Sequence, residues 1–138
     1  MAEKKKTTKK FIYALGRRKK AIARVRLFKG KGKMMVNGKP ISDYFPTKQE
    51  EFFYLMPFRV TDTEGKYYAT IKIVGSGKRA QLGAVVHGIA RALDKENKET
   101  FHSILKKHKL LTRDPRARER RKVGRGGKAR RKKQSPKR

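Results

Sequence analysis

Between residues 21 and 28, apolar and polar side chains alternate. Ala21, Ala23, Val25 and Leu27 point one way, and Ile22, Arg24, Arg26 and Phe28 the other. A period of two predicts a strand, here with one core face and a partly basic opposite face. Lys29-Gly30-Lys31-Gly32 is turn material, so residues 33–36 read as the return strand of a hairpin, broken at Asn37-Gly38-Lys39-Pro40. Ser42 and Asp43 suit a short capped turn. Residues 47–55 then predict a helix with Phe52, Leu55 and Met56 toward the core, ended by Pro57. Residues 58–61 and 67–74 read as two strands around Asp62-Thr63-Glu64-Gly65. In the second, Tyr67, Ala69, Ile71 and Ile73 share a face.

After Gly75-Ser76-Gly77 the period lengthens. Leu82, Val86, Ile89 and Leu93 form the stripe of a helix that starts at Lys78 and runs for roughly seventeen residues. Residues 98–107 predict a second, shorter helix, and Leu110 and Leu111 close the domain. Gly83 and Gly88 lie inside the long helix, where each costs about 0.5–1 kcal/mol against Ala. With Ala80, Ala84 and Ala90 they supply small positions. These fit close packing on a sheet better than close approach of a nucleic-acid backbone.

Charge changes this picture more than any element does. The chain has 138 residues, 41 Lys plus Arg, 11 Asp plus Glu, and a formal net charge of +30. The last nineteen residues hold eleven Lys or Arg, no acid, no aromatic, and only Val123 and Ala129 as apolar side chains. Such a segment cannot offset a backbone entropy of about 1–2 kcal/mol per residue, and alone it should be extended and solvated. Residues 1–111 still carry +18, so the folded part is basic too. Self-repulsion on that scale opposes compaction. The chain is expected to be marginally stable alone and fully ordered only against a polyanion. The division expected is a basic arm at 1–10, a globular domain at 11–111 and an extended tail at 112–138.

Other classes fall away. With no cysteine there are no disulfides and no cysteine-ligated zinc. The Lys-rich start lacks the apolar stretch of a secretory signal, and no apolar run approaches the ~20 residues of a membrane span. The chain reads as cytosolic, without a membrane or a small-molecule substrate. His87, His102 and His108 have no metal spacing, and His87 is expected at a helix–RNA or helix–sheet boundary. No nucleophile–base–acid set can be nominated among the scattered carboxylates, so neither catalysis nor a cofactor is expected.

Two motifs carry the binding chemistry. Gly75-Ser76-Gly77-Lys78-Arg79-Ala80 fits a dinucleotide turn, and Asp94 lies near the place of a ribose-binding acid. A dinucleotide fold, however, needs another parallel strand after the helix, and a second helix follows instead. What remains is a helix N-terminus backed by Lys78 and Arg79, an anion site suited to an RNA phosphate. Gly16-Arg17-Arg18-Lys19-Lys20 leads into the strand bearing Arg24 and Arg26. Its neighbours are also basic, so no internal partner is expected, and phosphate binding is the better reading. Lys128-Ala129-Arg130-Arg131-Lys132-Lys133 would pass as a nuclear localisation signal, but that pattern is unspecific in so basic a chain.

From Gly16 through Val25 the sequence resembles the universal family of the ninth small-subunit ribosomal protein, in its bacterial form. The likeness continues at Val36-Asn37-Gly38, Asp43-Tyr44-Phe45 and Gly75-Ser76-Gly77. It is strongest at Gln81, at residues 87–93 and 111–114, and at Glu119-Arg120-Arg121-Lys122-Val123-Gly124, Lys128-Ala129-Arg130-Arg131 and Lys137-Arg138. The resemblance implies an α/β (α+β) fold, a two-layer sandwich of a four-stranded mixed sheet with helices on one side. It also implies a left-handed βαβ crossover and a long extended basic C-terminal tail. It implies a cytoplasmic, ribosomal place in the head of the small subunit, on the 3′ major domain of its rRNA and beside neighbouring head proteins.

Carried over by position, Arg17, Arg18, Lys19, Lys20, Arg24, Lys78, Arg79, His87 and Arg91 would bind rRNA. So would Arg113, Arg116, Arg120, Arg121, Lys122, Arg125, Lys128, Arg130 and Arg131. Lys137 and Arg138 would approach the anticodon stem-loop of P-site tRNA. Nineteen extended residues reach roughly 60 Å, enough to enter an RNA interior. The chain departs from the family pattern at Ala80, where Gly is common, and at Val85-Val86-His87, where Ile-Arg-His is common. It departs again at Gln134-Ser135-Pro136, which lacks the usual aromatic. The competing classes are a nucleic-acid packing protein using charge alone and a nucleotide-dependent enzyme built on the Gly75 turn.

Overall fold

In the computed structural model, which describes residues 10–117, the alternation that starts at Ala21 has a partner ahead of it. Strand β1 (Ile12–Arg18) pairs antiparallel with β2 (Ala21–Lys29) across a turn at Lys19 and Lys20, with Lys19 at φ 52°. The hairpin on β2 therefore precedes it and does not follow it. The return strand expected at 33–36 is the two-residue β3 (Met35–Val36). It pairs antiparallel with β4 (Lys39–Pro40) and parallel with β5 (Tyr67–Val74). A two-residue strand has too little pattern to select its neighbour, and a side chain does that here. Asn37 accepts from the Ile73 amide at 2.8 Å and donates to the Ile73 carbonyl at 3.1 Å, extending the β3–β5 ladder beyond its backbone.

The sheet has five strands, not four, in the order β1-β2-β5-β3-β4. It is mixed, since β3 and β5 are parallel and joined through α1 (Ile41–Tyr44) and α2 (Lys48–Val60). Helices α3 (Lys78–Glu96) and α4 (Lys98–Lys107) complete an α+β fold. The second falls at the expected bounds. No strand follows α3 among the described residues, where a dinucleotide fold has a further parallel one. No helix among them is long and apolar enough to cross a membrane. The arm at 1–9 and the tail at 118–138 lie outside the described residues.

Helix α2 overturns two expectations. Thr47 accepts from the Glu50 amide at 3.2 Å and donates to its carboxylate at 2.9 Å, which closes the N-terminus. The helix then continues through Pro57 to Val60, so residues 58–61 form no strand. Tyr54, Pro57 and Phe58, at i, i+3 and i+4, are its buried face, and Phe52 is 51% exposed. Proline removes only the bond to the carbonyl of exposed Phe53, which water can satisfy. The Thr61 hydroxyl donates to the Pro57 carbonyl at 2.7 Å and helps finish the last turn.

Helix α3 packs on β1, β2 and β5 through small residues. Its buried positions include Ala80, Ala84, Val85, Ile89, Ala92 and Leu93, whereas Leu82 and Val86 of the expected stripe are half-buried. Gly16 and Gly88 meet at the crossing. A Cβ on Gly16 would strike the Ala84 carbonyl and the Gly88 backbone, and one on Gly88 would lie 2.6 Å from Val25 Cγ2. Close packing of backbone on backbone is thus the reason for Gly88. Gly83 instead makes room for the Arg18 side chain.

Candidate nucleic-acid interface

Three segments far apart in sequence converge where β1 ends. Arg17 and Arg18 come from β1, Lys78 and Arg79 from the first turn of α3, and Lys109 from the segment after α4. Together they line a groove of about 540 Å³, with Phe53, Leu82, Val86 and Leu110 among its apolar walls. Five cations face two carboxylates there, Glu50 and Asp114. Lys109 was not among the residues expected from sequence. Its left-handed φ of 58° turns the chain out of α4, and only the fold brings it beside Arg17.

Asp114 overturns the expectation that residues 16–20 lack an internal partner. Its carboxylate accepts from Arg116 Nη2 at 2.7 Å and from Nε at 3.0 Å, and it lies 3.6 Å from Arg18 Nη2. Hydrogen bonds from Arg116, with Arg18 nearby, hold this carboxyl far below the usual carboxylate range, so it stays ionised. Arg113 adds a reach to the Lys19 carbonyl at 3.5 Å. The start of the tail segment is therefore fastened to the β1–β2 turn by ionic and polar contacts. Arg18 and Arg116 meet at Asp114, which occupies a place a phosphate could take, with Arg17 on the same groove and Arg113 over the Lys19 carbonyl.

Lys78 and the Gly75 turn are arranged differently from expectation. Gly75 and Ser76 take φ of 83° and 55°, and Gly77 begins α3 with no side-chain cap. Gln81 ties the turn together, donating to the Gly75 carbonyl at 3.1 Å and accepting from the Tyr44 hydroxyl at 2.6 Å. The Lys78 ammonium donates to the Tyr44 carbonyl at 2.7 Å and sits 3.7 Å from the Tyr44 ring centroid. It fastens α1 to α3 at the rim of the groove. Arg79 lines the groove from the same turn.

His87 and Arg91 belong to another device. With Lys95 they form a stripe at i, i+4 and i+8 of α3 that lies along the edge of β1. The Arg17 amide donates to His87 Nδ1 at 3.3 Å, Arg91 donates to the Leu15 carbonyl at 2.6 Å, and Lys95 to the Tyr13 carbonyl at 2.9 Å. Four helical residues rise about 6 Å and two strand residues about 6.6 Å, so the two repeats stay in step. The stripe covers a sheet edge that would otherwise present unpaired backbone groups.

The His87 ring is buried, and its second nitrogen, Nε2, bonds the Leu111 carbonyl at 3.2 Å. With Nδ1 accepting, Nε2 carries the proton and the ring is neutral. Burial pushes its pKa below the ordinary 6.5. Of the two boundaries expected for this histidine, the helix–sheet one is occupied, and both ring nitrogens are spent on protein groups. His102 of α4 bonds Asp94 of α3 through Nδ1 at 2.7 Å. Asp94 is thus a tie between α3 and α4. Arg24 lies apart from the groove on the outer sheet face, exposed beside Arg26 and Lys72. Arg120, Arg121, Lys122, Arg125, Lys128, Arg130, Arg131, Lys137 and Arg138 fall outside the described residues.

The sequence as a whole matches a known family. The family model described as ribosomal protein S9/S16 matches residues 16–138. The chain is 47% identical over 114 residues to small ribosomal subunit protein uS9 of Dehalococcoides mccartyi, covering 83% of this chain and 86% of that one. The like-named protein of Maridesulfovibrio salexigens is 48% identical over 120 residues, 87% and 92% of the two chains. That of Rickettsia conorii is 49% identical over 127 residues, 92% and 79% of the two chains. The family-model match spans the groove, α3 and the basic C-terminal segment. The chain therefore belongs to the ribosomal protein S9 family.

Proposed function

We propose that this chain is a structural, non-catalytic constituent of the small ribosomal subunit that docks its folded domain on rRNA. One observation carries the reading within the family. Arg17, Arg18, Lys78, Arg79 and Lys109 are drawn together around one groove, Arg116 joins Arg18 through Asp114, and the groove's carboxylates, Glu50 and Asp114, are outnumbered. Phosphate oxygens are the partners such a cluster lacks, and Arg suits them because its planar fork binds them bidentately. The proposed rRNA contacts are Arg17, Arg18, Lys19, Lys20, Arg79, Arg113 and Arg116 in this cluster, with Lys78 at its rim. Arg24 would add a contact from the sheet, and His87 and Arg91 would support the interface by fixing β1.

In the same reading the tail residues Arg120, Arg121, Lys122, Arg125, Lys128, Arg130 and Arg131 thread among rRNA of the 3′ major domain in the subunit head. Lys137 and Arg138 meet the anticodon stem-loop of P-site tRNA. Neighbouring head proteins are the remaining partners, and the site of action is the cytoplasmic ribosome. The test is a salt series with the full chain. Binding to small-subunit rRNA should exceed binding to duplex DNA at every salt concentration, and the logarithm of each affinity should fall linearly with log salt. Equal affinity for the two would leave a charge-only packing protein as the better account. Removing Lys137 and Arg138 should speed tRNA dissociation from reconstituted subunits without impairing assembly, and an unchanged off-rate would refute the tail-tip contact.

A further inference from the structure

A second basic surface lies on the sheet face that no helix among the described residues covers. Register places its outward side chains. Tyr13 is opposite Arg26, Leu15 opposite Arg24, Arg24 opposite Lys72, and Arg26 opposite Thr70. Arg24 and Lys72 thus stand directly across from each other on the two central strands, a like-charge pairing that destabilises an isolated sheet. No outward position of β1, β2 or β5 carries a carboxylate to relieve it. The surface dips there into a groove of about 750 Å³ lined by Tyr13, Arg24, Arg26, Thr70 and Lys72, with Gly38 at its margin.

Aromatic rings border these cations. Tyr13 is 41% exposed and Phe11 46%, and the Arg26 guanidinium lies 5.1 Å from the Phe11 centroid. Phe11 leans on Phe28 at 5.8 Å, and Phe28 stacks on Tyr68 at 5.1 Å, so the outermost ring has a rigid backing. Cations in register beside exposed rings match the two chemistries of an unpaired nucleic-acid strand, phosphates and open base faces. Bases within a duplex have both faces occupied and offer the rings nothing.

We propose that the open sheet face holds an unpaired RNA strand, with phosphates against Arg24, Arg26 and Lys72 and bases stacked on Tyr13 and Phe11. The proposal rests on the RNA-binding reading above and names the surface and the form of RNA it takes. The test uses the full chain with a short unpaired RNA of mixed sequence and the same RNA annealed to its complement, across a salt series. Tyr13→Ala should weaken binding of the unpaired form by about five- to a hundredfold, leaving its salt slope and duplex binding unchanged. Tyr13→Phe, which keeps the ring, should restore it. Arg24→Gln with Lys72→Gln should flatten the salt slope for the unpaired form by about 1.4, two phosphates' worth. Equal losses toward both RNA forms, or none with any variant, would overturn the proposal. If the unaltered chain still prefers small-subunit rRNA over duplex DNA when Tyr13→Ala is inert, only the sheet-face assignment fails.

Discussion

The two faces of the central sheet are written on the same strands and obey opposite rules. Toward the helices, β1, β2 and β5 present Ala14, Gly16, Ala21, Ala23, Val25, Leu27, Ala69, Ile71 and Ile73, all buried. Toward the outside, between those very residues, stand Tyr13, Arg24, Arg26, Thr70 and Lys72. The closed face is small because α3 approaches until backbone meets backbone at Gly16 and Gly88. The open face is large, cationic and aromatic because nothing in the described chain covers it. A difference of one residue in register separates a position where a methyl group cannot be added from one where a guanidinium stands in water.

Three changes bear on that contrast, from the largest expected effect to the smallest. Gly16→Val should destabilise the chain by about 3 kcal/mol or more, since its side chain would drive α3 off the sheet and overpacking alone costs ~1–3 kcal/mol. A urea midpoint unchanged by the substitution would mean the two faces differ less than described. The closed side should also reject charge. The folded state holds His87 neutral and lowers its pKa, whereas the unfolded chain takes up a proton near 6.5. Its contribution is therefore whole above about pH 6.5 and is lost as pH falls through the lower folded value. Urea midpoints measured from pH 8 down to about 5 should fall, and His87→Gln should blunt that fall. The open side should tolerate substitution. Arg24→Gln should leave the free chain as stable or more so by about 0.2–1 kcal/mol, because it relieves the repulsion with Lys72.

The groove after β1 shows why part of the site was unreadable from the chain alone. The basic run at 17–20 was plain, as was the Lys78-Arg79 pair opening α3. Their meeting, and the arrival of Lys109 and Asp114 beside them, depends on how α3 lies across β1. Asp114 is the internal partner that the basic neighbours of residues 17–20 conceal. It sits 94 or more positions from the β1–β2 turn in sequence, yet it holds Arg18 and Arg116 together. His87, Arg91 and Lys95 gave a different lesson. Their four-residue spacing was visible, but its use appears only beside Tyr13, Leu15 and Arg17, whose two-residue spacing matches it along the sheet edge.

Local pattern alone determined β2, β5, α3 and α4, because each is long enough for its period to show and each buries one face. It also determined the sign of the partner, since so large a cationic excess calls for a polyanion whatever the fold. Tertiary structure decided the rest. β1 was hidden by basic residues at its end, β3 and β4 were too short to declare a partner, and α2 ran through a proline that reads as a stop. It also chose which side of each basic strand would face water, because pairing partners and helix contacts are non-local and no single segment contains both halves of a contact.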